Sequence, residues 1–248
     1  MAQTIVEAKD ICLTYHEING ETKAVDNISF AVEQGEFVSI VGPSGCGKTS
    51  VLSMLAGLLT PSCGEIRVEG GRPGYMLQRD HLFDWRTIEG NVLLGLQVRG
   101  LLNEETHGRA LALLDTYGLH DFIHSYPRQL SGGMRQKVAL IRTLACSPDL
   151  LLLDEPFSAL DYQTRLSVAD EIFAILRQEG KTAILVTHDI AEAISMSDRV
   201  LVFSKRPARI KAEHAIVLSA PASPLRRRNA PEFKEYFDTI WKELDHND

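Results

Sequence analysis

Gly42-Pro43-Ser44-Gly45-Cys46-Gly47-Lys48-Thr49 sets three glycines ahead of a lysine and a hydroxyl. The stretch fits G-x-x-x-x-G-K-[ST], and it lies between an apolar strand-like run, EFVSIV, and a segment of helical spacing, KTSVLSMLAGLL. In that context the glycines let the backbone curl so that its N–H groups converge on phosphate oxygens. The start of the following helix adds its positive dipole end. Lys48 is then placed to reach the β- and γ-phosphates and Thr49 to ligate Mg²⁺, with Ser50 counted among the nucleotide-binding residues. A phosphate loop alone names only a nucleotide-binding superfamily, which includes small-molecule kinases and GTPases.

A second group narrows the chemistry. In LLLLDE the carboxylates Asp154 and Glu155 end an apolar run. Asp154 is suited to hold Mg²⁺ or its water, and Glu155 to polarise an attacking water. Adjacent acids there favour hydrolysis over transfer to a bound acceptor. His188 follows the run AILVT and Gln78 ends GYMLQ, positions from which each could touch phosphate, Mg²⁺ or water. Taken alone, each is more readily a structural residue. LSGGMRQ raises a different question, because Ser131, Gly132 and Gly133 open a helical pattern and form a second phosphate cradle in one chain.

These residues need a frame that holds strand ends side by side. TIVEAKDICLTY and KAVDNISFAV read as strands joined by the polar turn HEINGET, and GEIRV and GYMLQ read as short strands. Helical patterns run over Ile88 to Leu96, Glu104 to Tyr117 and Met134 to Ala145, with a further one around Val168 to Leu176. LLLLD and AILVT are short, unalternated apolar runs, the mark of strands buried on both faces. DRVLVF follows as a strand, and Pro231 opens a last amphipathic helix carrying Phe233, Tyr236, Phe237, Ile240 and Trp241, whose aromatic stripe reads as packing. Strand–loop–helix units of this kind give an α/β fold with a parallel sheet. One domain is expected over 1–248, with early antiparallel strands and a helical segment of about 84–145 inserted in the α/β core.

Composition excludes several classes. At 248 residues the chain can bury a sizeable core, and 44% hydrophobic with 24% charged residues is ordinary for a globular protein. No apolar run approaches the roughly 20 residues that span a bilayer, so a membrane role is expected to be peripheral. A net charge of −7 argues against nucleic acid as the partner. Arg226, Arg227 and Arg228 form the dense basic run, which reads as a solvated linker. Cys12, Cys46, Cys63 and Cys146 show neither metal-ligand pairing nor a disulfide framework, and suit a reducing cytoplasm.

Taken in order, the motifs resemble those of the nucleotide-binding subunits of ATP-binding-cassette (ABC) transporters over essentially the whole chain. GPSGCGKT is similar to the Walker A loop, LLLLDE to Walker B, and LSGGMRQ to the family signature. Gln78 matches the Q-loop glutamine, SALD (Ser158 to Asp161) the D-loop, His188 the switch histidine, and Tyr15 the aromatic that stacks on adenine. The resemblance implies a P-loop NTPase core of the RecA-like kind, with an antiparallel β subdomain and an inserted α-helical subdomain. It implies ATP and Mg²⁺ as cofactors, with Thr49, Gln78 and Asp154 as metal ligands. It also implies a second cassette, most simply an identical chain. The signature of one subunit, with Asp161 of its D-loop, then closes on ATP held by the other's Walker A.

The same resemblance implies partners. No fused membrane domain, long heptad insertion or second cassette is visible, so transport through separate permease subunits leads over a cassette acting on nucleic acid or ribosomes. QRDHLFDWRTIEGNVLLGL lies where the family receives a cytoplasmic helix of the permease; Leu82, Phe83 and Trp85, with Asp84 and Arg86 at the rim, are read equally as contacts for that helix or as packing of the helical insertion. This segment and KRPARI, Lys205 to Ile210, are similar to importers of nitrate, sulfonates, taurine and thiamine precursors. No regulatory domain of the sugar-importer kind is expected. An extracytoplasmic solute-binding protein would be an indirect partner, and the cytoplasmic face of the membrane the location.

Overall fold

A computed structural model describes residues 3–17, 20–219 and 223–245. Two sheets organise it. β1 (Thr4–Glu17) pairs antiparallel with β2 (Gly20–Glu33) and with β4 (Cys63–Val68), giving the order β2-β1-β4. The other sheet contains β3 (Phe37–Val41), β5 (Gly74–Met76), β6 (Leu150–Asp154), β7 (Thr182–Thr187), β8 (Arg199–Phe203) and β9 (Ile210–Ala215), in the order β5-β6-β7-β3-β8-β9. All its pairings are parallel except that of β8 with β9.

The unalternated apolar runs find their explanation in this sheet. Leu151 and Leu153 of β6 face one core cluster and Leu150 and Leu152 another. Ala183 and Leu185 of β7 likewise part from Ile184 and Val186. The period of two is preserved, but both faces are apolar, so every residue of β3, β6 and β7 is buried. On one face lie α1 (Lys48–Leu55) and the antiparallel sheet; on the other, the helices between β5 and β6 together with α6 (Tyr162–Gln178). A third cluster joins α7 (Ile190–Met196), β8 and α9 (Phe233–Asp245).

Between β5 and β6 the chain is helical: α2 (Ile88–Val92), α3 (Leu94–Val98), α4 (Glu104–Thr116) and α5 (Gly132–Ala145). Helix starts are capped as their sequences suggest. Asn103 and Thr106 form a reciprocal capping box on α4. Ser131, Asp161 and Asp189 accept backbone N–H groups at the starts of α5, α6 and α7.

The structure corrects several expectations. GYMLQ is strand only to Met76, which leaves Gln78 on a loop. α5 begins at Gly132 rather than Met134 because Ser131 caps it. The segment following KRPAR is an edge strand, β9. Cys12 and Cys63 are opposed across β1 and β4 and form a disulfide with Cα atoms 5.0 Å apart, so the expectation of no disulfide does not hold. They lie 51 residues apart, and only antiparallel pairing brings them together. In α9, Ile240 is buried and Phe233, Tyr236 and Phe237 pack beneath it, while Trp241 stacks on Phe237 and stays exposed.

The arginine run is not a solvated linker. Pro224–Arg227 forms a short helix, α8, and Arg227 is buried, donating to the Ser197 carbonyl at 2.8 Å beside the Phe173 ring. Arg227→Ala would leave that buried carbonyl without its donor. A loss of about 1–3 kcal/mol is expected, read as a lowered midpoint in thermal unfolding.

Candidate nucleotide site

The loops after β3, β5, β6 and β7 meet at the carboxyl ends of parallel strands, where open α/β sheets place their sites. The phosphate loop leaves β3 and enters α1. Its Gly47 adopts φ 127°, and a Cβ there would stand 2.7 Å from the Ala24 carbonyl, so no other residue fits. Lys48 is buried, its ammonium donating to the carbonyls of Gly42 (2.8 Å) and Pro43 (3.0 Å). An ammonium carries three donors, so this arrangement keeps one for an anion in the loop. Cys46 is buried as well; burial pushes its thiol pKa up, which makes it a packing residue rather than a nucleophile.

Thr49 lies in the first turn of α1 and Asp154 ends β6, and the Thr49 hydroxyl donates to Asp154 Oδ1 at 3.2 Å. Tyr75, on β5, donates to Oδ2 at 3.4 Å. Desolvation raises the Asp154 pKa, with the neighbouring Glu155 charge adding to the rise and the Thr49 bond opposing it. A buried carboxylate facing a hydroxyl is a hard oxygen pair of the kind that holds Mg²⁺, which takes few protein ligands and keeps waters.

Gln78 lies elsewhere in the site. Its amide donates to Glu155 Oε2 at 3.2 Å and to Ser158 Oγ at 3.4 Å. His188 Nδ1 lies 3.2 Å from the same Glu155 oxygen. Two side chains, from the segments that follow β5 and β7, therefore meet on the carboxylate that follows β6. Glu155 has φ 44°, an uncommon conformation for a residue with a side chain, and its N–H donates to the Val186 carbonyl at 2.8 Å. That bond to β7 helps hold the turn carrying the carboxylate. At the site's margin the Tyr15 hydroxyl lies 3.0 Å from Ser50 Oγ and its ring is partly exposed, consistent with an aromatic wall beside the loop.

LSGGMRQ stands apart from this cluster. Among the described residues, no hydrogen bond or ion pair joins 131–136 to 42–50. Ser131 is exposed and caps α5, accepting from Met134 N–H at 3.3 Å. Gly133 is buried for another reason: a Cβ would meet Val168 Cγ2 at 2.9 Å and Thr164 Cγ2 at 3.1 Å, so it sets how closely α5 approaches α6. Asp161 caps α6 through Thr164, whose hydrogen bonds hold its carboxyl below the usual range.

Sequence reasoning missed the residues that hold the loop after Gln78. Asn91 is fully buried; it accepts from Phe83 N–H at 2.7 Å and donates to the carbonyls of Phe83, Arg86 and Thr87. Arg135, in the signature, pairs with Asp80 at 3.0 Å, and Arg142 donates to the carbonyls of Asp80 and His81. The loop is thus clamped to α5. Leu82 turns inward to the core, while Trp85 is 74% exposed with its ring 4.8 Å from that of Phe83. An asparagine inside a helical pattern carries no sequence signal for such a clamp.

A family model described as ABC transporter matches residues 25–158, more than half of the chain. An ABC transporter ATP-binding protein of Bacillus subtilis, YtlC, is 52% identical, with 93% of this chain and 92% of that protein covered. The chain belongs to the ABC transporter ATPase family. This cassette is also similar to the nitrate import ATP-binding protein NrtD of Synechocystis, at 39% identity over 95% of this chain and 93% of that one. The taurine import ATP-binding protein TauB of Roseobacter denitrificans is 35% identical, with 96% and 94% covered. Among solved structures, the dimeric post-hydrolysis state of the cassette MJ0796 bound to ADP and Pi superposes with a TM-score of 0.73 at 30% identity, covering 86% of this chain and 99% of that one. The cassette is accordingly an ATP-binding, ATP-hydrolysing enzyme with the P-loop NTPase fold.

Gly133→Ala is expected to force α5 away from α6 and to lower stability by roughly 1–3 kcal/mol, the usual cost of overpacking. Denaturant unfolding would register it as a lower midpoint with an unchanged slope.

Proposed function

We propose that this cassette energises uptake of a small solute of the nitrate, taurine, sulfonate or thiamine-precursor kind, through separate membrane subunits, from the cytoplasmic face of the membrane. The observation that carries this reading is the likeness to nitrate and taurine import ATPases over more than nine-tenths of the chain. Among the described residues no helix is long and apolar enough to cross a membrane, in keeping with a membrane domain on another polypeptide. The exposed Trp85 on its clamped loop offers an apolar contact for that domain. A net charge of −7 supports permease rather than nucleic-acid partners.

In this reading ATP lies along the 42–50 loop, with Lys48 and the loop amides on its phosphates and Tyr15 against its base. Thr49 and Asp154 would hold Mg²⁺, which would neutralise charge on the phosphates; Gln78, the third expected ligand, is bonded to Glu155 and Ser158 and would join the ion only on leaving them. Glu155 orients the attacking water, and His188, in contact with it, holds the active geometry and senses the γ-phosphate. Ser131, Gly132 and the start of α5 are presented to ATP on a second cassette, most simply an identical chain, with Asp161 beside them. Among the described residues, 131–136 make no hydrogen bond or ion pair with the chain's own phosphate loop, which is in keeping with that two-chain arrangement. Asp80, held by Arg135 and Arg142, ties the signature helix to the loop that would meet the permease. An extracytoplasmic binding protein would deliver the solute.

Glu155→Gln is expected to bind ATP, accumulate a closed dimer on size-exclusion chromatography and turn over at least ~100-fold more slowly. Adding Ser131→Arg should abolish that dimer while leaving nucleotide binding by the single chain intact. Near-normal turnover in the first variant would remove Glu155 from the central role, and a persisting dimer in the second would remove the signature. The transport reading is tested in lipid vesicles holding the cassette with the permease subunits that co-purify with it and a solute-binding protein. ATP-dependent uptake of nitrate, taurine or another small sulfonate is expected, and stimulation by RNA or ribosomes without uptake would replace the importer reading.

A further inference from the structure

The turn that carries His188 is held by groups outside the chemistry described so far. β7 ends at Thr187, and α7 starts at Ile190 with Asp189 as its cap. The Thr187 hydroxyl donates to Glu192 Oε2 at 2.5 Å and accepts the Asp189 N–H at 3.0 Å. Asp189 Oδ1 in turn accepts the Glu192 N–H at 3.0 Å. These bonds close a ring through the residues on either side of His188. Two torsions per residue are the soft freedoms of a backbone, so pinning both neighbours leaves the histidine little choice of direction.

The ring also reaches beyond its own turn. Asp189 Oδ2 faces Arg165 of α6 at 3.7 Å, and Arg165 donates to the Leu160 carbonyl at 3.2 Å. Leu160 lies within SALD, the segment that ends at the α6 cap Asp161. A short polar path therefore runs from the histidine turn to the D-loop.

Glu192 is an expensive residue to keep where it is. It is 3% exposed, with buried Ala193 and Ile194 beside it on α7. Burial pushes its carboxyl up to about 7, with Asp189 adding to the rise and the Thr187 bond, Arg165 and Arg228 opposing it. An apolar residue would fill the space without that desolvation cost, but it could not order the Thr187 hydroxyl.

We propose that Glu192 is a positioning residue for ATP hydrolysis: it orients His188 toward Glu155 and, through Asp189 and Arg165, links the histidine to the D-loop. This rests on the reading of His188 given above. The carboxylate touches no nucleotide; it acts through the threonine on one side of the histidine and the aspartate on the other. Removing the ring leaves His188 present but free to turn from the Glu155 oxygen it meets at 3.2 Å.

The test uses the full chain with Mg-ATP, and reads kcat, KM and the thermal midpoint for each variant. Glu192→Gln keeps an oxygen for Thr187 and should stay within about two-fold of the parent kcat. Glu192→Ala and Thr187→Val should each lose roughly ten-fold or more in kcat with KM within about two-fold, since small misplacements of reacting groups are costly. Thr187→Ser should retain turnover. Thr187→Val preserves side-chain shape, so it answers the question even if Glu192→Ala fails to fold. Normal kcat in Thr187→Val, or equal losses in Glu192→Gln and Glu192→Ala, would overturn the proposal. His188→Ala is the control for its foundation. Full turnover in that variant would overturn the role of His188 itself, whereas impaired turnover there with normal Thr187→Val would overturn the positioning role alone.

Discussion

The parallel ladder of β6, β7 and β3, apolar on both faces, is the constraint from which the rest follows. Parallel strands end at the same edge, so the loops that leave them are gathered without any contact among the loops themselves. Asp154 pairs in register with Val186 and Val41 with Thr187, which sets the carboxylates, the phosphate loop and the histidine turn within one edge of the sheet. Full burial fixes register, because a one-residue slip would exchange the residues of two separate cores.

Carboxylates at that edge are held by protein partners drawn from distant sequence, and the lysine by its own loop. Glu155 receives Gln78 and His188, Asp154 receives Thr49 and Tyr75, and Lys48 is occupied by two carbonyls. The bonds at Glu155 and Asp154 join separate segments, so a displacement of one is felt by its neighbours, whereas those of Lys48 stay within the phosphate loop. The helical segment between β5 and β6 joins the same network from the side, through Arg135 and Arg142 on the backbone and carboxylate of the loop after Gln78. A rigid-body movement of α5 would therefore carry that loop with it. This is the physical basis on which α5 and the loop after Gln78 would move as one.

The hydroxyl and carboxylate groups near the site differ in what surrounds them. Asp161 sits at a helix start in solvent and is held ionised by backbone and hydroxyl donors, whereas Asp154 and Glu192 are buried and resist ionisation. A divalent cation placed against Asp154 would offset that penalty by favouring the ionised carboxylate.

Much of this was legible in the residues alone. GPSGCGKT, LLLLDE, LSGGMRQ, Gln78 and His188 are local patterns, and local backbone geometry is what a short motif encodes. The buried strands β6 and β7 were readable for the same reason, since apolar runs of that length have few other homes. What the chain order could not convey was pairing at long range. The Cys12–Cys63 contact, the β9 edge, the buried Arg227, the Asn91 clamp and the Thr187–Glu192 ring all depend on which elements become neighbours. A polar residue in an otherwise apolar helix looks like an exposed position until its partner is known. Tertiary structure decided those cases, because the free energy of a buried polar group is set by its partner and not by its own identity.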